Sequence, residues 1–433
     1  MVRAPVIAQI YCCLKQLITS SVVVSNGTAE RMTAVHTTPK RILYYCQSLV
    51  GIGHLSASLR VIQELLNHCE VDLIQGGLDA GVSLQHPHFR NLRLTTLLHD
   101  SETGDFYHPD DQADIATIWD KRAAEISRFL RWPYHAIVVE FYPFGRRRFK
   151  REIQNLFHTV RDRCGDVPIF TSVREVLVPR AVEKERRMVD SVRKYIHTVF
   201  IRGDSQVVRF DETFSLAHEI EDKLCYTGYI GAPPPPNWPP RKRQILVSQG
   251  GGNVGRELLE GAIGAAALMP EYSFLLAAGS RTSAAELDAL RASVRSSNVN
   301  IVPFLADFPL QLRQSSLSIN MGGDNTLMDV VSARVPSLAY PYGGNSEQSF
   351  RIKKFAQHRF VHALDAGDLT AVSLREKIEL ALNAPYPEVG IAMDGAIVTS
   401  EKIRSILENV GANGEPIAIT LRRRRESVAK RCV

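Results

Sequence analysis

Apolar residues recur along the chain in two rhythms. Short strand-like runs, RILYYCQ (41–47), EVDLIQG (70–76), HAIVVEF (135–141), PIFTSV (168–173) and HTVFIRG (197–203), alternate with amphipathic stretches. In the first of these, HLSASLRVIQELL, Leu55, Leu59, Ile62 and Leu66 follow a period near 3.6 residues. KLCYTGY (223–229) reads as the strand closing this series. A second series runs QILVSQ (244–249), YSFLLAAG (272–279), VNIVPF (299–304), LSINMG (317–322) and PSLAYPY (336–342), with helical stretches such as GRELLEGAIGAAALM and DNTLMDVVSA between them. Alternation of this kind predicts parallel sheets covered by helices, an α/β class with two doubly wound domains. The segment GAPPPPNWPPRKR (231–243) separates the series, and its six prolines hold it extended as a linker. The predicted organisation is an extension at 1–38, a first domain at 39–230, the linker, a second domain at 244–412 and a tail at 413–433. The 433 residues exceed what one hydrophobic core usually supports, which agrees with two domains.

Composition narrows the function classes. Apolar residues are 45% and charged residues 23% of the chain, as in ordinary globular proteins. The net charge of +6 is concentrated in the tail LRRRRESVAKRC, where six cations stand against Glu426. The body is nearly neutral, so no nucleic-acid partner is indicated. The tail is read either as a disordered, solvated end or as a weak attraction for anionic lipid. Seven cysteines show no C-x-x-C spacing and no histidines in register, which argues against a zinc site or a disulfide framework and suits a reducing cytoplasm. No uncharged apolar run is long enough for a transmembrane helix. The N-terminal VIAQIYCCL makes a poor signal-peptide core; the extension is read as disordered, or as lying upstream of a start at Met32.

Candidate chemistry begins at RQILVSQGGGNVGRELLEGA, where Gly250, Gly252 and Gly255 have G-x-G-x-x-G spacing after a strand and before a helix. Glycines admit positive φ, and a helix start offers free N–H groups to an anion. A nicotinamide site also needs an acid at the end of the next strand. That strand ends Ala277-Ala278-Gly279-Ser280, so the dinucleotide reading is disfavoured. A phosphate or sugar contact and a purely structural turn both remain.

The segment SINMGGDNTLMDVVSARVPSLAYPYGGNSEQ (318–348) carries more. Thr326 is placed at or near a helix N-cap. Gly322, Gly323, Asp324 and Asn325 would expose backbone donors to a diphosphate. Asp329, close to one turn on, could accept from a ribose diol. Glu347 and Gln348, in a polar loop after the next strand, could read sugar hydroxyls.

This arrangement, together with GIGHLSASLRVIQEL, VVEFYPFGRRRF, SVREVLV, YTGYIGAPP, ILVSQGGGNVG and VPFLADFP, resembles the GT-B glycosyltransferases, in particular the MurG type and bacterial predicted glycosyltransferases related to it. The resemblance spans residues 41–390 and implies two Rossmann-like domains facing a cleft, with a last helix, around Thr399–Val410, that crosses back to the first domain. It implies that the Gly323–Thr326 turn binds the donor diphosphate, that Asp329 holds the ribose, and that Glu347 and Gln348 read the sugar. It also sets Gly251, Gly252 and Asn253 against the phosphates or the acceptor, and the backbone at Phe304 and Leu305 against uracil. Two departures stand out: Met321 occupies a position where many members have a phosphate-binding His, and Asp329 replaces the commoner Glu.

In the first domain, Gly51 and Gly53 keep the loop after the first strand thin and leave His54 at a helix start. An imidazole titrates near 6.5 and can take an acceptor proton at neutral pH, and the helix dipole should keep it neutral. A cap or a solvated residue is the blander alternative, while the resemblance points to His54 as the base. Glu140, at a strand end, would orient it, or would instead pair with Arg146 or Arg147. The cluster Arg146, Arg147, Arg148, Lys150 and Arg151 is either a solvated helix face or a contact for an anionic acceptor.

The resulting expectation is an inverting, metal-independent transferase with no cofactor. Its partners are a nucleotide-sugar donor, a UDP-sugar such as UDP-GlcNAc, and an unidentified acceptor hydroxyl or amine. Its location is expected to be cytoplasmic, with weak peripheral contact to the inner face of the membrane through the basic clusters. The rival readings are a nucleotide-sugar hydrolase or epimerase, a non-catalytic sugar-nucleotide-binding protein, and a dinucleotide oxidoreductase. Acceptor loops such as 98–118 carry no readable code.

Overall fold

The computed structural model describes residues 39–48, 53–77, 84–99, 105–108, 114–231, 237, 239–250, 255–279, 282–305, 307–343, 346–387 and 390–413. The extension 1–38, most of the proline linker, the turn 251–254 and the tail after 413 lie outside the described residues. The chain forms two compact units. An N-terminal unit comprises Lys40–Ser205, Arg209–Gly228 and the chain from Asp394, and a C-terminal unit comprises Gln206–Val208 and Tyr229–Met393.

In the N-terminal unit the strands are β1 (Lys40–Ser48), β2 (Cys69–Gly77), β3 (Phe89–Arg93), β4 (Ala136–Glu140), β5 (Ile169–Arg174), β6 (Thr198–Arg202) and β7 (Leu224–Tyr226). Helices α1 (Gly53–Leu65), α2 (Ile115–Phe129), α3 (Lys150–Cys164) and α4 (Val182–Tyr195) connect them. The sheet is parallel with order β3-β2-β1-β4-β5-β6-β7. Strands buried on both faces read as continuous apolar runs, and β4, AIVVE, is buried at every position. Its core joins Leu43, Tyr45, Ile137 and Val139 to Ile153, Phe157 and Val160 of α3.

The C-terminal unit has β8 (Lys242–Ser248), β9 (Ser273–Ala277), β10 (Val299–Val302), β11 (Ser315–Asn320), β12 (Ser337–Ala339) and β13 (His362–Ala363) in the order β10-β9-β8-β11-β12-β13, again parallel. Its helices are α5 (Arg256–Ala267), α6 (Ala284–Ser293), α7 (Phe308–Gln314), α8 (Asp324–Ser332), α9 (Ser346–Gln357) and α10 (Ala371–Asn383). Both sheets thus reverse strand order once, between β1 and β4 and between β8 and β11. Such a switch point leaves a crevice at the carboxyl ends of the strands, where doubly wound sheets bind ligands.

Three features differ from the sequence reading. The edge strand β3, FRNLR, has too little apolar alternation to be read as a strand. A small antiparallel hairpin pairs Leu98–His99 with Phe106–Tyr107. The second domain does not run to 412: the last helix, α11 (Gly395–Asn413), belongs to the N-terminal unit, the crossing back that the resemblance implies. It packs on α1, burying Ile403 and Leu407, with the Ser400 hydroxyl 3.2 Å from His68 Nε2. No helix among the described residues is long and apolar enough to cross a membrane.

Candidate active site

The switch point of the N-terminal sheet carries ionisable side chains. His54 is the second residue of α1, and Glu140 is the last of β4. The sheet register brings them together: His54 Nδ1 lies 2.5 Å from Glu140 Oε1. The carboxylate has no exposed side-chain surface, whereas 12% of the imidazole is exposed. Arg202 Nη2 donates to the same Oε1 at 3.2 Å, and Arg146 Nη2 stands 3.8 Å from Oε2. Glu140 therefore meets both of the alternatives that its sequence position left open, orienting His54 and pairing with Arg146. Arg147 is exposed.

Electrostatics fix the roles within this pair. Burial alone would raise the Glu140 pKa, but His54, Arg202 and Arg146 outweigh it and hold the carboxyl down at about 2. Its ionisation contributes stability above its ordinary range near 4.5, lost only as pH falls toward about 2. For His54 burial wins: its pKa is lowered from 6.5 against the opposing pull of Glu140, with Arg174 and Arg146 adding to the depression. Desolvation, rather than the helix dipole, is the main cause. A neutral ring beside an ionised carboxylate must place its proton on Nδ1, because Glu140 can only accept. Nε2 then carries the lone pair of a base.

The switch point of the C-terminal sheet is built from backbone. After β11 the chain passes through Gly322 at φ 67° and enters α8, whose N-cap is Gly323. A side chain at Gly322 would put its Cβ 2.3 Å from Ile352 Cδ1 of α9. The buried Asn320 side chain braces the turn, accepting from Gly322 N at 2.9 Å and donating to Ser337 Oγ at 2.8 Å. Gly255, at φ 97°, caps α5 across the reversal, and a Cβ there would lie 2.6 Å from Met321 Sδ. The two glycine turns therefore close on each other through Met321.

Among the described residues no side-chain cap is seen at the start of α8, whose first amides have no partner within the helix. Thr326, read as lying at or near the cap, is the third helical residue; Gly323 takes the extended cap conformation (φ −62°, ψ 145°). Arg351, 1% exposed, sets its Nε 3.7 Å from Asp324 Oδ1 at the same helix start. Asp329 lies half-buried in the middle of α8. Glu347 and Gln348 form the first turn of α9 rather than a loop, and Gln348 Oε1 accepts from Tyr342 N at 3.2 Å. Phe304, exposed, and Leu305 follow β10. Gly51, Gly251, Gly252 and Asn253 fall outside the described residues; Gly53 opens α1.

Residues 250–394 match the family model of the glycosyltransferase family 28 C-terminal domain. Most of the chain superposes on solved glycosyltransferases. With the calicheamicin glycosyltransferase CalG4 the TM-score is 0.55 at 16% identity, over 88% of this chain and 100% of that one. MurG of Acinetobacter baumannii gives 0.50 at 12%, over 86% and 99%. LpCGTa, solved in complex with UDP, gives 0.51 at 13%, over 87% and 96%. The chain has the GT-B fold, and its residues 250–394 are similar to a glycosyltransferase domain.

Sequence reasoning missed three residues that shape the two switch points. Asn320 and Arg351 left a signal, as polar residues inside otherwise apolar or amphipathic runs, but burial alone shows their role. Arg202 ends an apolar strand and is 6% exposed, which no local pattern announces. Among the described residues no group of three or more His, Cys, Asp or Glu side chains is arranged to hold a metal ion.

Proposed function

We propose that the enzyme transfers a sugar, with inversion, from a nucleotide-diphosphate donor to an acceptor hydroxyl or amine, and that the donor is a UDP-sugar. The observation that carries this reading is the His54–Glu140 pair at a switch point, 2.5 Å apart and largely removed from water. Its Nδ1–H is held by Glu140, so Nε2 takes the acceptor proton as the acceptor atom bonds to the sugar C1. The C1–O bond breaks on the opposite face, and its electron pair leaves with the nucleoside diphosphate. The first amides of α8 stabilise that charge, as fixed dipoles do without reorganising. Asp329 would hold the ribose, Glu347 and Gln348 the sugar, and the backbone at Phe304 and Leu305 the base. Gly251, Gly252 and Asn253 complete the proposed donor set. The UDP carried by LpCGTa supports the choice of nucleotide.

The test combines calorimetry with UDP release from a panel of UDP-sugars, counting slow transfer to water where no acceptor is supplied. His54→Ala is expected to lower turnover by roughly 10²–10⁴-fold while UDP binds as in wild type. Lost UDP affinity in this variant, or unchanged turnover, would remove His54 from the role.

A further inference from the structure

The chain leaves β4 through Phe141-Tyr142-Pro143-Phe144-Gly145 and reaches Arg146. Two of the three aromatic rings anchor this turn in the core. Tyr142 is buried and its hydroxyl accepts from Gln154 Nε2 at 2.8 Å. Phe144 is buried too and meets Phe210 and Phe214 edge to face, at 5.4 and 5.3 Å between centroids. Phe141 behaves differently and stays partly exposed. Its amide still donates to Ser172 O at 2.9 Å, as a continuing strand would, but a φ of 67° turns the backbone out of the sheet. Left-handed backbone is unfavourable for a bulky side chain and persists only where the surroundings hold it.

Gly145 keeps the Phe141 ring where that backbone puts it. Gly145 N donates to Phe141 O at 2.6 Å, and a Cβ on Gly145 would lie 2.3 Å from Phe141 Cδ1. Any other residue at 145 would displace the ring. The ring lies 5.4 Å from the imidazole of His54, centroid to centroid, at a tilt of 57°. On another side the Arg146 guanidinium carbon is 5.8 Å from its centroid. Arg146, itself left-handed at φ 57°, stands 3.8 Å from Glu140 Oε2, and Glu140 Oε1 is 2.5 Å from His54 Nδ1. The four side chains form a closed cycle: Glu140 to His54, His54 to Phe141, Phe141 to Arg146, and Arg146 back to Glu140.

One hydrogen bond to Glu140 fixes where Nδ1 sits and leaves the imidazole able to turn about that bond. A base needs more, because its other nitrogen must come within about 2.6–3.2 Å of the proton it takes. The Phe141 ring supplies the second constraint, since an imidazole packed against it cannot turn freely.

We propose that Phe141 is a positioning residue for His54: its ring, held by the left-handed turn and by Gly145, sets the plane of the imidazole so that Nε2 meets the acceptor. The proposal rests on the reading of His54 as the base and adds what aims it.

The experiment measures UDP release from the donor panel and UDP affinity by calorimetry, in the full chain. Phe141→Leu is expected to lower kcat about tenfold, with the donor KM and UDP affinity as in wild type. Phe141→Tyr, which keeps the ring, should retain most of the activity. Gly145→Ala, which keeps the ring but moves it, should lose kcat as Phe141→Leu does, and it carries the same comparison if Phe141→Leu fails to fold. In the His54→Ala background Phe141→Leu should cost nothing further, because a residue that acts through the base has nothing left to position. An equal cost in both backgrounds makes Phe141 a packing residue and overturns the proposal, as does an equal loss in Phe141→Tyr. Unchanged turnover in His54→Ala sinks the transferase reading and the positioning together. A fall in His54→Ala without a fall in Phe141→Leu sinks the positioning alone.

Discussion

At the switch point of the N-terminal sheet the polar groups are side chains: an imidazole, a buried carboxylate and guanidiniums within a few ångströms of it. At the switch point of the C-terminal sheet, built on the same reversal of strand order, they are backbone amides framed by Gly255, Gly322 and Gly323. Under the proposed function the contrast follows from what each would do. Moving a proton needs a group whose pKa can be set, and only side chains offer one. Holding a diphosphate needs donors that are fixed and always protonated, which amides at a helix start supply without a titration. One architecture can thus host a tunable site and a rigid one.

After the loss expected of His54→Ala, the next largest effect should come from the rigid site. Gly322→Val adds a Cβ beside Ile352 at a positive φ. It should cost about 1–3 kcal/mol of stability and weaken UDP about tenfold, read by thermal melting and calorimetry. Its His54 titration should match wild type; a shifted titration would show that the two sites are not independent.

A smaller effect is expected at the tunable site. Arg202→Met removes a cation that holds Glu140 ionised. The Glu140 pKa should rise and the carboxylate should then hold the imidazolium more strongly, so the acid limb of kcat/KM moves to higher pH, with Arg202→Lys restoring it. A limb that stays in place would reduce Arg202 to a packing residue. The smallest change is expected from Glu347→Ala and Gln348→Ala. These should alter donor-sugar preference several-fold with UDP affinity unchanged, and equal preference across the panel in both would place sugar recognition elsewhere.

The sequence made the doubly wound class legible because buried parallel strands such as AIVVE are continuous apolar runs, and because Gly-rich turns follow two of them. His54 and Glu140 could be named separately, one at a helix start and one at a strand end. Their union depends on β1 and β4 being neighbours across a gap of more than eighty residues, and local pattern does not encode that. Thr326 stands near the cap, as its position suggests, without being the cap. A hydroxyl is the commoner cap, but the backbone at Gly323 takes the cap geometry first. The allegiance of α11 came from the family resemblance and not from its own pattern, since an amphipathic helix shows which face it buries and not against which unit.

The most direct measurement of the account is an NMR titration of His54 with ¹⁵N-labelled imidazole nitrogens in the UDP-bound enzyme. The account predicts a neutral ring protonated on Nδ1, with a midpoint below 6.5, that falls further in Glu140→Gln as the opposing negative charge is removed. Because the neutral ring is lost as pH falls through that midpoint, turnover should decline below it and not above it. A midpoint at or above 6.5, or a proton resting on Nε2, would contradict the assignment of His54 as the base.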